Sequence, residues 1–309
     1  MFQLVQRRNL YFAFSGTLIG LGILAMVFSY FQTGLPFGIS VDFRSGTRIE
    51  VQFEEQVTED EIRAVFTEFG LNNPAVIQLQ GEGLTNAWQI RSEFISPEEA
   101  SALEDALNNE VGTLIPGTTQ VESVSAAVGS EVTRAAFIAI TVAAVIILVY
   151  IAAAFRQVPS PFRYGACAVS AMVHDLFIVF GFMAITGMIL GWEVDALFVT
   201  AILTVAGFSL QDTIVVFDRI RENIQKRPYE DYETLVNRSI LETIHRSLAT
   251  QLSAMFVMVA LILFGGASIQ QFISVLFVGL LSGTYSSIFH AVPLLVEWET
   301  RSPSEAVVA

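Results

Sequence analysis

Six long apolar runs constrain this chain more than any motif in it. They cover Leu10 to Phe31, Arg134 to Phe155, Tyr164 to Leu190, Ala196 to Phe217, Leu248 to Phe264 and Ile269 to Trp298. A helix needs about 20 apolar residues to cross the hydrocarbon of a bilayer, and a helix satisfies all its backbone polar groups internally, as lipid demands. Each run therefore reads as a membrane-spanning helix. The charge content agrees: 15% of the residues are charged, against roughly 25% in soluble domains.

Orientation follows from Lys and Arg, which gather in cytoplasmic loops. Arg7 and Arg8 precede the first run, Arg156 and Arg163 flank the turn after the second, and Arg219, Arg221, Lys226, Arg227, Arg238 and Arg246 crowd the segment 218–247. The loops "GWEVD" and "GGAS" on the other side carry none. Both termini are expected in the cytoplasm. The first run exceeds the 7–15 residues of a signal-peptide core and no small-x-small site follows it, so it reads as a retained span. The expected organisation is a terminus and first span over 1–31, an outer domain over 32–133, a five-helix bundle over 134–298 with a cytoplasmic loop over 218–247, and a cytoplasmic tail over 299–309.

The outer block holds 17 Asp and Glu against four Arg, nearly the whole of the chain's net charge of −14. "TRIEVQFE" alternates as a half-buried strand does. "TEDEIRAVFTEFG" opens on a capping box, Thr58 with Glu61, and closes on Gly70. The runs "AVIQLQ" and "AWQIRSEF" flank the turn "GEGLTN". "SPEEASALEDALNNEVG" has Ser96 as N-cap, Pro97 at the first helical position and Glu99 completing a second box, and "TTQVESV" ends the block. The order βαββαβ predicts a small α+β ferredoxin-like domain. It offers no catalytic constellation, no metal-spaced histidines and no phosphate loop, so binding is expected rather than catalysis, with a rigid spacer as the plainer alternative. No cofactor, metal or nucleic-acid site is expected. Between the fourth and fifth runs, "YEDYETLVNRSILETIHRSL" has an apolar stripe at Leu235, Ile240, Ile244 and Leu248 that reads as an amphipathic helix on the membrane surface.

An ionisable side chain at bilayer depth costs at least about 2.5–3.5 kcal/mol, so it needs a partner or a task. His174 and Asp175 fall near the middle of the third span, and Asp212 lies about one and a half turns inside the end of the fourth. Asp218 and Arg219 stand at that end and reach water. Arg246 opens the fifth span, and its long stem can reach inward. Two readings stay open: a buried Asp212–Arg246 pair that fixes packing, or a protonatable Asp212 in an ion path. Gly16 and Gly20, and the line Gly279, Gly283, Ser287, mark faces where helices press close. Cys167 reads as packing.

"AGFSLQDTIVVFDRIREN" (206–223, with Gly207, Asp212, Asp218 and Arg219) strongly resembles the fourth-span signature of the SecF family, membrane subunits of the bacterial Sec protein-export machinery. "VDFRSGT" (41–47) is similar to that family's D-F-x-G-G-T entry motif, with Asp42 and Gly46 in place and Ser45 where the first glycine stands. His174 and Asp175 match its third-span pair, and "IHRSLAT" (244–250) its entry into the fifth. Gln211 and Phe208 depart from the family's usual Asn and Tyr.

The resemblance implies a non-enzymatic subunit of the bacterial inner membrane that pairs with SecD. Beside the SecYEG channel the two would use the proton-motive force to draw out unfolded preprotein. It implies a proton path through Asp212 with Arg246 as its charge partner and Asp175 as a weaker participant. The rival reading is half of an RND-type small-solute exporter. An aspartyl-protease dyad of Asp175 and Asp212 is disfavoured, because "SLQ" precedes Asp212 where such proteases present G-x-G-D.

Overall fold

The computed structural model describes residues 3–71, 74–79, 85–158 and 160–301. Most of the turn read in "GEGLTN", the last residue of "AVIQLQ" and the tail over 302–309 lie outside the described residues. The chain divides into two compact units, Met1–Phe37 with Ile138–Met188 and Leu197–Ala309, and Gly38–Phe137 with Ile189–Ala196.

Among the described residues of the chain, six helices are long and apolar enough to cross a membrane. They are α1 (Arg8–Thr33, entered through a 3-10 turn from Val5), α5 (Ala126–Ala154), α6 (Pro161–Leu190), α7 (Ala196–Lys226), α8 (Tyr232–Phe264) and a sixth span in two parts. The sixth is α9 (Ala267–Ser286), a π-helical turn (Ser287–Ala291) and α10 (Val292–Arg301). Pro293 explains the wide turn: it has no N–H to give one turn back and its ring crowds the carbonyl there, so the helix opens just before it.

In the first unit Phe155 stacks on Tyr164 with ring centres 5.5 Å apart, and Phe217 meets Tyr164 edge-on at 5.1 Å. Glycines set the closest helix approaches. A Cβ on Gly181 of α6 would stand 2.6 Å from Gly22 Cα of α1, and one on Gly283 of α9 would stand 3.0 Å from Ser209 Cβ of α7. Gly279 presses on Val205 in the same way, whereas Gly16 and Gly20 face open space. The large apolar side chains of α1, α5 and α8 that point outward, among them Leu24, Phe137, Ile146 and Phe256, suit lipid rather than water.

The stripe read at Leu235, Ile240, Ile244 and Leu248 lies on α8, which runs unbroken from Tyr232 to Phe264: Leu235 and Ile240 are buried in the core of the bundle, Ile244 packs against it and Leu248 is 38% exposed. The helix read there is present, and α7 also continues as helix to Lys226. An amphipathic stripe is the same pattern whether lipid or a neighbouring helix covers it, so the pattern alone does not choose.

The second unit has the order β1 (Gly46–Gln52), α3 (Glu59–Glu68), β2 (Ala75–Leu79), β3 (Ala87–Ser92), α4 (Pro97–Ala106), β4 (Gln120–Val124), preceded by a single turn, α2 (Val41–Arg44). The sheet is antiparallel throughout in the order β2-β3-β1-β4, with Ile49 opposite Ile90 and Val121. Ile49, Val51 and Ile90 pack with Ile62, Phe66 and Leu103 of α3 and α4. Both capping boxes form, Thr58 with Glu61 and Ser96 with Glu99.

The hairpin loop between α6 and α7 belongs to this unit. Ser40 N donates to Val194 O at 2.9 Å and Val194 N to Gly38 O at 2.8 Å, and Arg91 pairs with the buried Glu193. Burial pushes the Glu193 carboxyl above its ordinary range, and Arg91, Arg48 and Arg44 pull it partly back.

Candidate functional site

The third and fourth spans are apolar enough to be buried on several sides, and each carries one carboxylate inward. On α6 Asp175 is 1% exposed and receives four polar groups. Ser282 Oγ donates to its Oδ1 at 2.6 Å; Ser209 Oγ and Ser286 Oγ each donate to Oδ2 at 2.8 Å. His174 Nδ1 stands 3.1 Å from Oδ1, and its Nε2 reaches Ser15 Oγ of α1 at 3.1 Å. Three helices, α6, α7 and α9, thus converge on one carboxyl group, and α1 reaches the histidine beside it. Satisfied hydrogen bonds offset the cost of burying a polar group there.

The serines reach it because of spacing. Ser282 and Ser286 are four residues apart on α9, hence on one face, and the close approach at Gly283 brings that face against Ser209. A wider residue at 283 would hold the hydroxyls away from the carboxylate.

One turn beyond Ser209 on α7 lies Asp212, 3% exposed. Gln251 Nε2 of α8 donates to its Oδ2 at 2.6 Å, and the buried Ser247 lies beside it. The ion pair with Arg246 raised by the sequence is not formed. The inward face of α8 is Thr243, Ser247, Gln251 and Met255, all buried at four-residue spacing, and Arg246 precedes Ser247 by one residue, about 100° around the helix. Arg246 instead lines a groove of about 710 Å³ with Asp218, Arg219, Glu222 and Glu242. Around it Arg219 pairs with Glu242 at 2.6 Å and with Glu222, and Arg221 with Asp218 at 2.6 Å.

The remaining motif residues have structural places. Asp42 Oδ2 accepts the first N–H of α7, from Ala196, at 3.0 Å. Gly46 has φ +132°, and a Cβ there would stand 2.7 Å from Ser92 O. Gly207 faces open space on α7. Among the described residues no cluster of His, Cys, Asp and Glu suits a metal ion.

Sequence reasoning did not single out Ser15, Ser209, Ser282, Ser286, Gln251 or His290. The i, i+4 pair of serines in an otherwise apolar span was the available signal for two of them. The whole is two buried carboxyl groups held by serine and glutamine side chains, with an imidazole in contact with one of them.

A family model described as "Protein export membrane protein SecD/SecF, C-terminal" matches residues 105–301. The chain is 39% identical to the protein translocase subunit SecF of Anaerolinea thermophila, over 97% of this chain and 95% of that one. It is 45% identical to the SecF of Thermobaculum terrenum over 87% and 86%. Among solved structures it is similar to SecDF, a translocon-associated membrane protein from Thermus thermophilus, with 31% identity and a TM-score of 0.79 over 97% of this chain. It spans 39% of that longer protein.

Proposed function

The chain belongs to the SecD/SecF family of protein export membrane proteins, and on that premise we propose that it is the SecF-type accessory subunit of the Sec export machinery, coupling a proton gradient to the movement of exported polypeptide. It is a multi-pass membrane protein of transport rather than of catalysis. Its expected associates are a SecD-type partner and the Sec channel, SecYEG, with unfolded preprotein as cargo and the bacterial inner membrane as its place. The pairing fits the coverage: a SecDF chain contains a counterpart of this one, which spans 39% of it, and a larger remainder.

The finer reading adds orientation and domains. Both termini are cytoplasmic, as the Lys and Arg bias supports. The block over 32–133 is an outer ferredoxin-like domain, supported by its βαββαβ order and by β1 and β3 standing at the centre of the sheet. Its task is to contact emerging polypeptide.

One observation carries the proton reading: Asp175 and Asp212 are buried at membrane depth and held by serine, histidine and glutamine, with no Lys or Arg paired to either among the described residues. A carboxylate locked to an arginine stays ionised, whereas one held by neutral donors can gain and lose a proton with small rearrangement. Arg246, in the groove at the Asp212 end of α7, supplies positive charge near the route by which a proton would reach the cytoplasm. The test is export by vesicles that hold the channel, the SecD-type partner and this chain, with and without an imposed proton gradient. Asp212→Asn should abolish stimulation by the gradient while the protein still inserts. Stimulation equal to that of the parent would refute the reading.

A further inference from the structure

His290 stands in the π-helical turn of the sixth span, beside the carboxylate site but outside the family motifs described above. Its Nε2 is 3.1 Å from Ser170 Oγ of α6. Its ring centre is 5.0 Å from that of His174, with the planes tilted by 37°, and Phe12 of α1 closes the far side edge-on at 6.0 Å. Its Nδ1 is buried and has no hydrogen-bond partner among the described residues. Buried polar atoms are rarely left so, and an exception in a native structure calls for an explanation. Single π-turns inside spans often mark functional positions.

We propose that His290 is a further proton-binding residue of the intramembrane site, exchanging a proton with the His174–Asp175 pair; this rests on the proton reading above and names where the proton goes. The step is a plain transfer. An N–H bond of the His174 imidazolium breaks, the proton crosses the gap through one bridging water, and an N–H bond forms at His290 Nδ1. His174 is left neutral against Asp175, and the positive charge has moved from α6 to the sixth span. The ring centres stand 5.0 Å apart, and proton transfer needs a direct hydrogen bond or one intervening water between the two groups. The ionisable groups that face His290 are His174 and Asp175 from α6 and, farther off, Tyr285 from its own span and Tyr11 from α1. Among the described residues no Lys or Arg pairs with any of them.

The chain has three histidines, so nitrogen-15 histidine spectra of the full protein in bilayers resolve each by single substitution. As the pH is varied over the range in which the protein stays folded, the His290 signal should change between neutral and charged forms in step with that of His174, as coupled sites do, and Asp175→Asn should break the shared transition. His290→Gln, which keeps a polar group near Ser170, and His290→Phe, which keeps the ring, should each lower gradient-stimulated export by roughly tenfold or more. A His290 signal fixed in one form across that range, or one unaffected by Asp175→Asn, overturns the inference, as does parental export by both variants. A parent protein that shows no response to a gradient contradicts the function proposed above, and the spectra then still decide whether His290 shares a proton with His174.

Discussion

At the scale of single residues, the backbone at Ser45 and the neighbours of the two buried carboxyl groups make separable predictions. Ser45 holds φ +63° and ψ 158°, a region where non-glycine residues cost on the order of 1–3 kcal/mol. Ser45→Gly should therefore raise thermal stability in detergent, and Gly46→Ala, whose Cβ meets Ser92 O, should lower it. The two carboxylate neighbours differ likewise. Gln251→Leu leaves Asp212 Oδ2 without its amide donor and should cost about 1–3 kcal/mol. Arg246→Met breaks no pair with Asp212 and should stay within about 0.5 kcal/mol of the parent; a loss as large as that of Gln251→Leu would restore the ion pair. Asp175 and Asp212 were legible because each is an exception to a local rule, charge inside lipid, whereas the strained backbone at Ser45 shows only in the structure. The serine cage was not legible either, since a hydroxyl in a span breaks no rule and its direction depends on which helix lies opposite.

At the scale of elements, the helices of the second unit were legible through their caps, and the caps make a pH prediction. The Thr58 backbone N–H and hydroxyl hold the Glu61 carboxyl below its ordinary range, and those of Ser96 do the same for Glu99. A folded-state value that is depressed gives stability that is full above the ordinary carboxylate range and lost as pH falls through the folded value. Amide exchange in the first turns of α3 and α4, relative to an unstructured peptide, should therefore quicken on acidification. At neutral pH Thr58→Ala should quicken it by about fivefold in α3 alone, the worth of one cap. Equal exchange in parent and variant would deny the cap that role. The helix at the start of α8 was legible through its stripe, whereas the continuation of α7 to Lys226 was not, for a physical reason. Hydropathy falls where a helix leaves lipid, but the hydrogen bonding of the helix does not, so polarity marks the end of a span rather than the end of a helix.

At the scale of the molecule, six apolar helices among the described residues carry the buried carboxyl groups, and the sheet unit includes the loop between α6 and α7. The topology prediction is direct. In a Cys167→Ala background, Arg227→Cys lies in the turn between α7 and α8, where the side chain is 46% exposed, and it should react with a membrane-impermeant thiol reagent only after the cells are opened. Labelling in intact cells would reverse the orientation.

The proposed coupling requires the intramembrane carboxyl groups to change protonation. Infrared difference spectra of the protein in bilayers, taken across a pH step, read that change as the carbonyl band of a protonated carboxyl. The account predicts a band from a water-excluded carboxyl in the parent, diminished in Asp175→Asn and in Asp212→Asn and absent when both are changed. An identical difference spectrum in the parent and the double variant would contradict it.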